Sequence, residues 1–177
     1  NGYTAEADVN VVYNYFDVEV VPGGTFTMGS ASTEVGRLST REDSHSVTLS
    51  RDMRVMRFEV TQEEFEDLMG YNPSVFSGCS DCPVENISWH EAASLANEAS
   101  IIEGLPMCYA CTGSGSGVVC SAPSDIYSCS GYRLPTDSEW EYLARAGTIS
   151  AFHNGGSLLD GTQSTCSNSI VLSNGND

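Results

Sequence analysis

An α+β domain is the fold class predicted for this chain, on three observations. Three segments carry the start signals of short helices, each with a Ser or Thr followed three residues later by Glu. Short stretches rich in Val, Phe, Tyr and Met separate them and alternate as strands do. The 177 residues contain no internal repeat and suffice for one domain with one sizeable core.

Residues 8–21 alternate at Val9, Val11, Tyr13 and Tyr15, the pattern of a strand. Pro22-Gly23-Gly24 interrupts it, and Thr25–Met28 forms a second short strand. Residues 29–43 are polar and read as a surface loop. Residues 46–50 and 53–60 read as two strands paired across Arg51-Asp52. Thr61 and Glu64 then open a helix whose face is Phe65, Leu68 and Met69, and Gly70 closes it. Asn72-Pro73 marks a turn in the loop that follows. Ser88 and Glu91 open a second helix lined by Trp89, Ala92, Ala93 and Ala96, where small side chains allow close packing. Residues 107–109 and 118–120 read as a hairpin, with the Gly-Ser stretch 113–117 at its tip. The third helix, 137–146, has Thr136 and Glu139 at its start, Asp137 and Arg145 complementing its dipole, and Gly147 at its end. Its apolar positions, Trp140, Leu143 and Ala144, are spaced to form one core-facing side. Beyond it, residues 148–177 are dominated by Gly, Ser, Asn and Thr, with residues 170–172 as one further strand.

Seven cysteines point to an oxidising compartment, extracellular or periplasmic. Cys108, Cys111, Cys120 and Cys129 allow three pairings. The nested one, Cys111–Cys120 inside Cys108–Cys129, suits a hairpin. Cys79–Cys82 would close a small ring, and Cys166 is left unpaired. The two C-x-x-C spacings also fit zinc, but the stretch between them exceeds a ribbon loop and includes a predicted helix.

The charge balance narrows the partners. There are 24 acidic residues against 7 basic ones, all arginine, for a net charge of −17. Such a chain repels nucleic acid and anionic lipid. No apolar run reaches the length of a membrane helix. The chain starts at Asn1 without a basic and apolar leader, and reads as a processed, secreted protein.

Four motifs occur in order: Gly23-Gly-Thr-Phe-Thr-Met-Gly-Ser30, Phe58-Glu-Val-Thr-Gln-Glu-Glu-Phe65, Pro83-Val-Glu-Asn-Ile-Ser-Trp-His-Glu-Ala92 and Tyr132-Arg-Leu-Pro-Thr-Asp-Ser-Glu-Trp-Glu-Tyr142. In these the chain resembles the formylglycine-generating enzymes, or sulfatase-modifying factors, over roughly residues 16–150. The resemblance implies an irregular C-type-lectin-like fold with long disulfide-held loops, residues 16–177 forming the domain and residues 1–15 an added amino-terminal strand. It implies oxidation of a sulfatase cysteine at a copper ion held by two cysteines. Those cysteines lie after a Gly-Asn-Val-Trp-Glu-Trp segment that is absent here, so no catalytic or cofactor-binding residue carries over and no copper is expected. It also implies structural calcium, for which Asn168, Asn174 and Asp177 are the candidate ligands.

Other chemistry finds little support. His45, His90 and His153 stand alone, and neither a nucleophile elbow nor a phosphate loop is present. Arg133 and Glu139 read as a structural ion-pair former and a capping residue, and Trp89 and Trp140 as core. The expected role is that of a secreted non-catalytic domain with a structural or binding function, as a subunit of an extracellular assembly such as a filament or surface layer. The strand at residues 8–15 would pair with a neighbouring subunit. The alternatives are the amino-terminal part of a copper-dependent oxidase, completed by a carboxy-terminal segment joined through Cys166, and a carbohydrate- or protein-binding lectin-like module.

Overall fold

The structure, a computed structural model, describes residues 15–34, 37–38 and 40–150. Residues 8–14 of the predicted strand 8–21 and the predicted strand 170–172, together with His153, Cys166, Asn168, Asn174 and Asp177, lie outside the described residues, and the described part of the first is a strand only over Val18–Val21. The described residues form six short strands, three α-helices and two 3₁₀ turns, in an α+β fold of the C-type-lectin-like kind. The described residues divide into two compact units, one of residues 15–20 with 54–134 and one of residues 21–53 with 135–150.

In the first unit, β1 (Val18–Val21) pairs with β4 (Met53–Met56) at the unit's edge. Helix α1 (Gln62–Met69) starts as predicted. Thr61 Oγ1 accepts from the Glu64 amide, and the Glu64 carboxylate accepts from the Thr61 amide. It ends at Gly70, whose φ of 78° is the left-handed conformation that glycine takes without a Cβ penalty. Phe65 is fully buried and meets the Tyr71 ring edge to face. Helix α2 (Trp89–Ile102) starts at a second complete capping box, Ser88 with Glu91. Its alanines let the disulfide hairpin β5 (Ala110–Thr112) and β6 (Val119–Ser121) approach closely. Ala93 packs with Cys108, Tyr109, Val118 and Cys120 in the core.

Asn97 ties that helix to the hairpin. Its buried side-chain oxygen accepts from the amides of Cys108 and Tyr109 at 3.0 and 3.1 Å, and its amino group donates to the Tyr109 carbonyl at 2.9 Å. The disulfides follow the nested scheme, Cys108–Cys129 and Cys111–Cys120, with Cys79–Cys82 closing its own small ring. The first hairpin strand begins at Ala110, so residues 107–109 lead into it and are not part of it.

In the second unit, β2 (Gly24–Met28) pairs antiparallel with β3 (His45–Leu49), Gly24 opposite Leu49 and Met28 opposite His45. The predicted pairing of residues 46–50 with 53–60 is therefore corrected. β3 pairs with β2, β4 pairs with β1, and β4 ends at Met56. The reason lies at Gly23. A Cβ there would stand 2.6 Å from the Leu49 carbonyl oxygen and 2.7 Å from that of Arg51. The Gly23 amide donates to Asp52 at 3.0 Å. Arg51-Asp52 thus packs against Pro22-Gly23 at the place where the chain changes strand partner, and is not a hairpin tip.

Helix α3 (Asp137–Arg145) has the third complete capping box, Thr136 with Glu139. Ala146, at φ 45°, is its left-handed cap, one residue before the predicted Gly147, which is also left-handed. The helix meets β2 through a face other than the predicted one. Ser138 contacts the Met28 sulfur, Glu141 accepts from the Gly29 amide, and Arg145 donates to the Gly29 carbonyl. The Tyr142 ring packs edge-on against Phe26. Trp140 is 63% exposed, which corrects its assignment to the core. Trp89 is also exposed, resting one edge on Tyr109.

Candidate functional site

The start of α1 builds the most chemically distinctive surface of the first unit. The small ring closed by Cys79–Cys82 turns the chain back on the helix. The amide of Gln62 donates to the Cys82 carbonyl at 2.8 Å, and that of Glu63 to the Ser80 carbonyl at 3.1 Å. Thr61 bridges to Pro83. The loop is thereby fixed beside the segment Met56–Glu59, and a groove of about 530 Å³ opens between them. Met56, Phe58 and Pro83 give it an apolar floor, and Asp17, Glu59, Glu64 and Asp81 surround it. Phe58 is 68% exposed there. The Arg57 guanidinium lies 6.0 Å from the centre of its ring and 3.9 Å from the Asp17 carboxylate.

A second groove, about 620 Å³, runs between α2 and the disulfide hairpin, lined by Asn97, Glu98, Met107, Tyr109 and Val119. His90 stands on the hairpin side of α2, where its Nδ1 accepts from the Cys120 amide at 3.1 Å. That imidazole holds the hairpin on the helix, a packing role.

A polar pair between the end of α1 and the start of α2 was not legible in the sequence. The Tyr71 hydroxyl donates to the buried Glu91 carboxylate. Burial and this bond push the Tyr71 hydroxyl up to about 12. Burial alone would raise the Glu91 carboxyl, but hydrogen bonds from Tyr71 and Ser88 outweigh it and hold it below its ordinary value.

The donor set for a two-cysteine copper site does not fit this chain. Six of its seven cysteines are closed in disulfides, which leaves Cys166 alone, outside the described residues. Among the described residues no three His, Cys, Asp or Glu side chains stand close enough to hold a metal ion. Zinc on Cys79, Cys82, Cys108 and Cys111 is ruled out, because the first two pair with each other and the others pair elsewhere. Glu139 is a buried cap, as its motif position predicts. Arg133 lies over the Tyr127 ring, 5.8 Å from its centre.

Residues 6–171 match the model of the sulfatase-modifying factor enzyme 1-like domain. The chain belongs to the sulfatase-modifying factor enzyme 1-like family. It is similar to the chaperone protein LppX of Paenibacillus barcinonensis, 37% identical over 125 residues, 64% of this chain and 44% of that one. Among solved structures, the domain resembles Treponema denticola variable protein 1, with a TM-score of 0.60 and 27% identity over 77% of this chain and 55% of that one. It shares its fold with PvdO from Pseudomonas aeruginosa, with a TM-score of 0.54 and 21% identity over 75% and 48%. The chain thus spans about half the length of these relatives.

The groove at α1 escaped the reading of the sequence. Residues 53–60 looked like one strand with Phe58 in its pattern, whereas β4 stops at Met56 and leaves Phe58 in solvent. No local signal in the sequence places Asp17 and Asp81 beside one another's neighbours.

Proposed function

We propose that this chain is a secreted, non-catalytic sulfatase-modifying factor enzyme 1-like domain that binds protein and serves as a subunit of an extracellular assembly. The state of its cysteines carries the reading. Copper held by two thiolates needs two free cysteines, and disulfides take up six of the seven. The same disulfides fit an extracellular or periplasmic site. No helix among the described residues is long and apolar enough to cross a membrane. The name of the Paenibacillus relative, a chaperone protein, adds support for a partner that is itself a protein.

The test is incubation of the purified chain with copper, oxygen and a cysteine-containing sulfatase peptide, followed by mass spectrometry. Unchanged peptide is expected, and formylglycine product overturns the reading. Structural calcium on Asn168, Asn174 and Asp177 belongs to the same proposal. Calcium should raise the melting temperature and a chelator should lower it; identical melts with and without calcium remove the ion from the proposal.

A further inference from the structure

Resting on the protein-binding reading, we infer that the groove at the start of α1 docks an arginine- or lysine-bearing segment of a partner protein. Charge complementarity and an open aromatic floor argue for that occupant together. Four acidic residues line the groove from four separate places: Asp17 just before β1, Glu59 before α1, Glu64 in its first turn and Asp81 in the disulfide ring. Arg57 is the single cation among the lining residues. Its bond to Asp17 is long, at 3.9 Å, and both side chains are more than half exposed, so an incoming cation can displace it cheaply. The floor is the exposed Phe58 ring, and the Arg57 guanidinium beside it occupies the kind of position that a partner's guanidinium would take.

Two other ligand classes fit less well. A helix start ordinarily attracts anions through free amides. Here those of Gln62, Glu63 and Glu64 already donate to Cys82, Ser80 and Thr61. A metal ion would need three ligating side chains within its short reach, and among the described residues no such group exists. Carboxylates spread around an apolar floor suit long side chains carrying their charge at the tip, with the stem lying on Met56 and Phe58.

The experiment measures fluorescence anisotropy of a labelled alternating arginine–glycine peptide titrated with the whole chain at physiological salt, beside a glutamate–glycine peptide of equal length. The arginine peptide should bind and the glutamate peptide should not. Phe58→Ala and the double change Glu59→Gln with Asp81→Asn should each weaken binding roughly five- to tenfold. The double change Glu19→Gln with Glu66→Gln removes equal charge elsewhere and should alter binding less than about twofold. All these positions are exposed, and circular dichroism verifies that each variant is folded. Equal weakening by both double changes would make the attraction one of overall charge and overturn the site. Absence of binding, or equal binding of the two peptides, overturns it as well. Neither result touches the non-catalytic reading, which stands or falls on formylglycine formation alone.

Discussion

The carbonyl of Pro106 lies so close to Gly131 that a Cβ at position 131 would stand 1.9 Å from its oxygen. The same Cβ would meet the Ser100 hydroxyl at 2.9 Å, and that hydroxyl accepts from the Tyr132 amide. Glycine at the head of the motif 131–142 is thus required by the approach of two backbones, its φ being ordinary. Gly131→Ala should therefore destabilise the fold by about 1–3 kcal/mol through overpacking. Urea unfolding reads this directly; an unchanged midpoint would mean that the backbones separate freely.

The Tyr71–Glu91 pair sets an alkaline limit. The folded hydroxyl titrates near 12, above its ordinary value of 10. Its contribution is complete below about pH 10 and fades as pH rises toward 12. Tyr71→Phe should cost about 1–2 kcal/mol at neutral pH. The gap between the two proteins should narrow above pH 10. A gap that stays constant from pH 7 to 12 would show that the hydroxyl does not titrate with folding. Glu91 acts at the other end of the scale. Its folded value is lowered, so its contribution is present at neutral pH and is lost as pH falls below the ordinary carboxylate range.

The disulfides should differ in worth. Cys108–Cys129 spans a sequence separation of 21, and Cys79–Cys82 a separation of 3. Chain entropy then predicts a loss of about 3 kcal/mol for the Cys108→Ala, Cys129→Ala pair and about 2 kcal/mol or less for the Cys79→Ala, Cys82→Ala pair. Guanidinium midpoints under non-reducing conditions rank them. The reverse order would place the ring at 79–82 at the centre of stability.

Helix faces make a further contrast. Phe65 has no exposure, and Phe65→Ala should cost about 3–5 kcal/mol. Trp140 is mostly in solvent, and Trp140→Ala should move stability by no more than about 0.5 kcal/mol. Its fluorescence should be readily quenched by acrylamide. Strong protection from the quencher would refute the exposed position.

What could be read from the sequence divides by the range of the interaction. The capping boxes of Thr61, Ser88 and Thr136 are complete within four residues, so pattern alone located them. The nested cysteines were legible because a hairpin orders its own pairs. Strand partners were not, since the turn reading at Arg51-Asp52 could not know of Gly23. The docking side of α3 was also hidden. Periodicity picked out Trp140, Leu143 and Ala144, while Ser138, Glu141 and Arg145 hold β2 by hydrogen bonds that hydropathy does not register. The groove needed Asp17, Phe58 and Asp81 to be gathered from distant segments, which only the folded chain does.

Asn97 has one more effect. By gripping the backbone on both sides of the Cys108–Tyr109 peptide, a single carboxamide on α2 stands in for a neighbouring strand. None of these bonds needs a disulfide, so they should hold the backbone at Cys108 in the same way in the reduced chain and favour its joining to Cys129 over mispaired isomers.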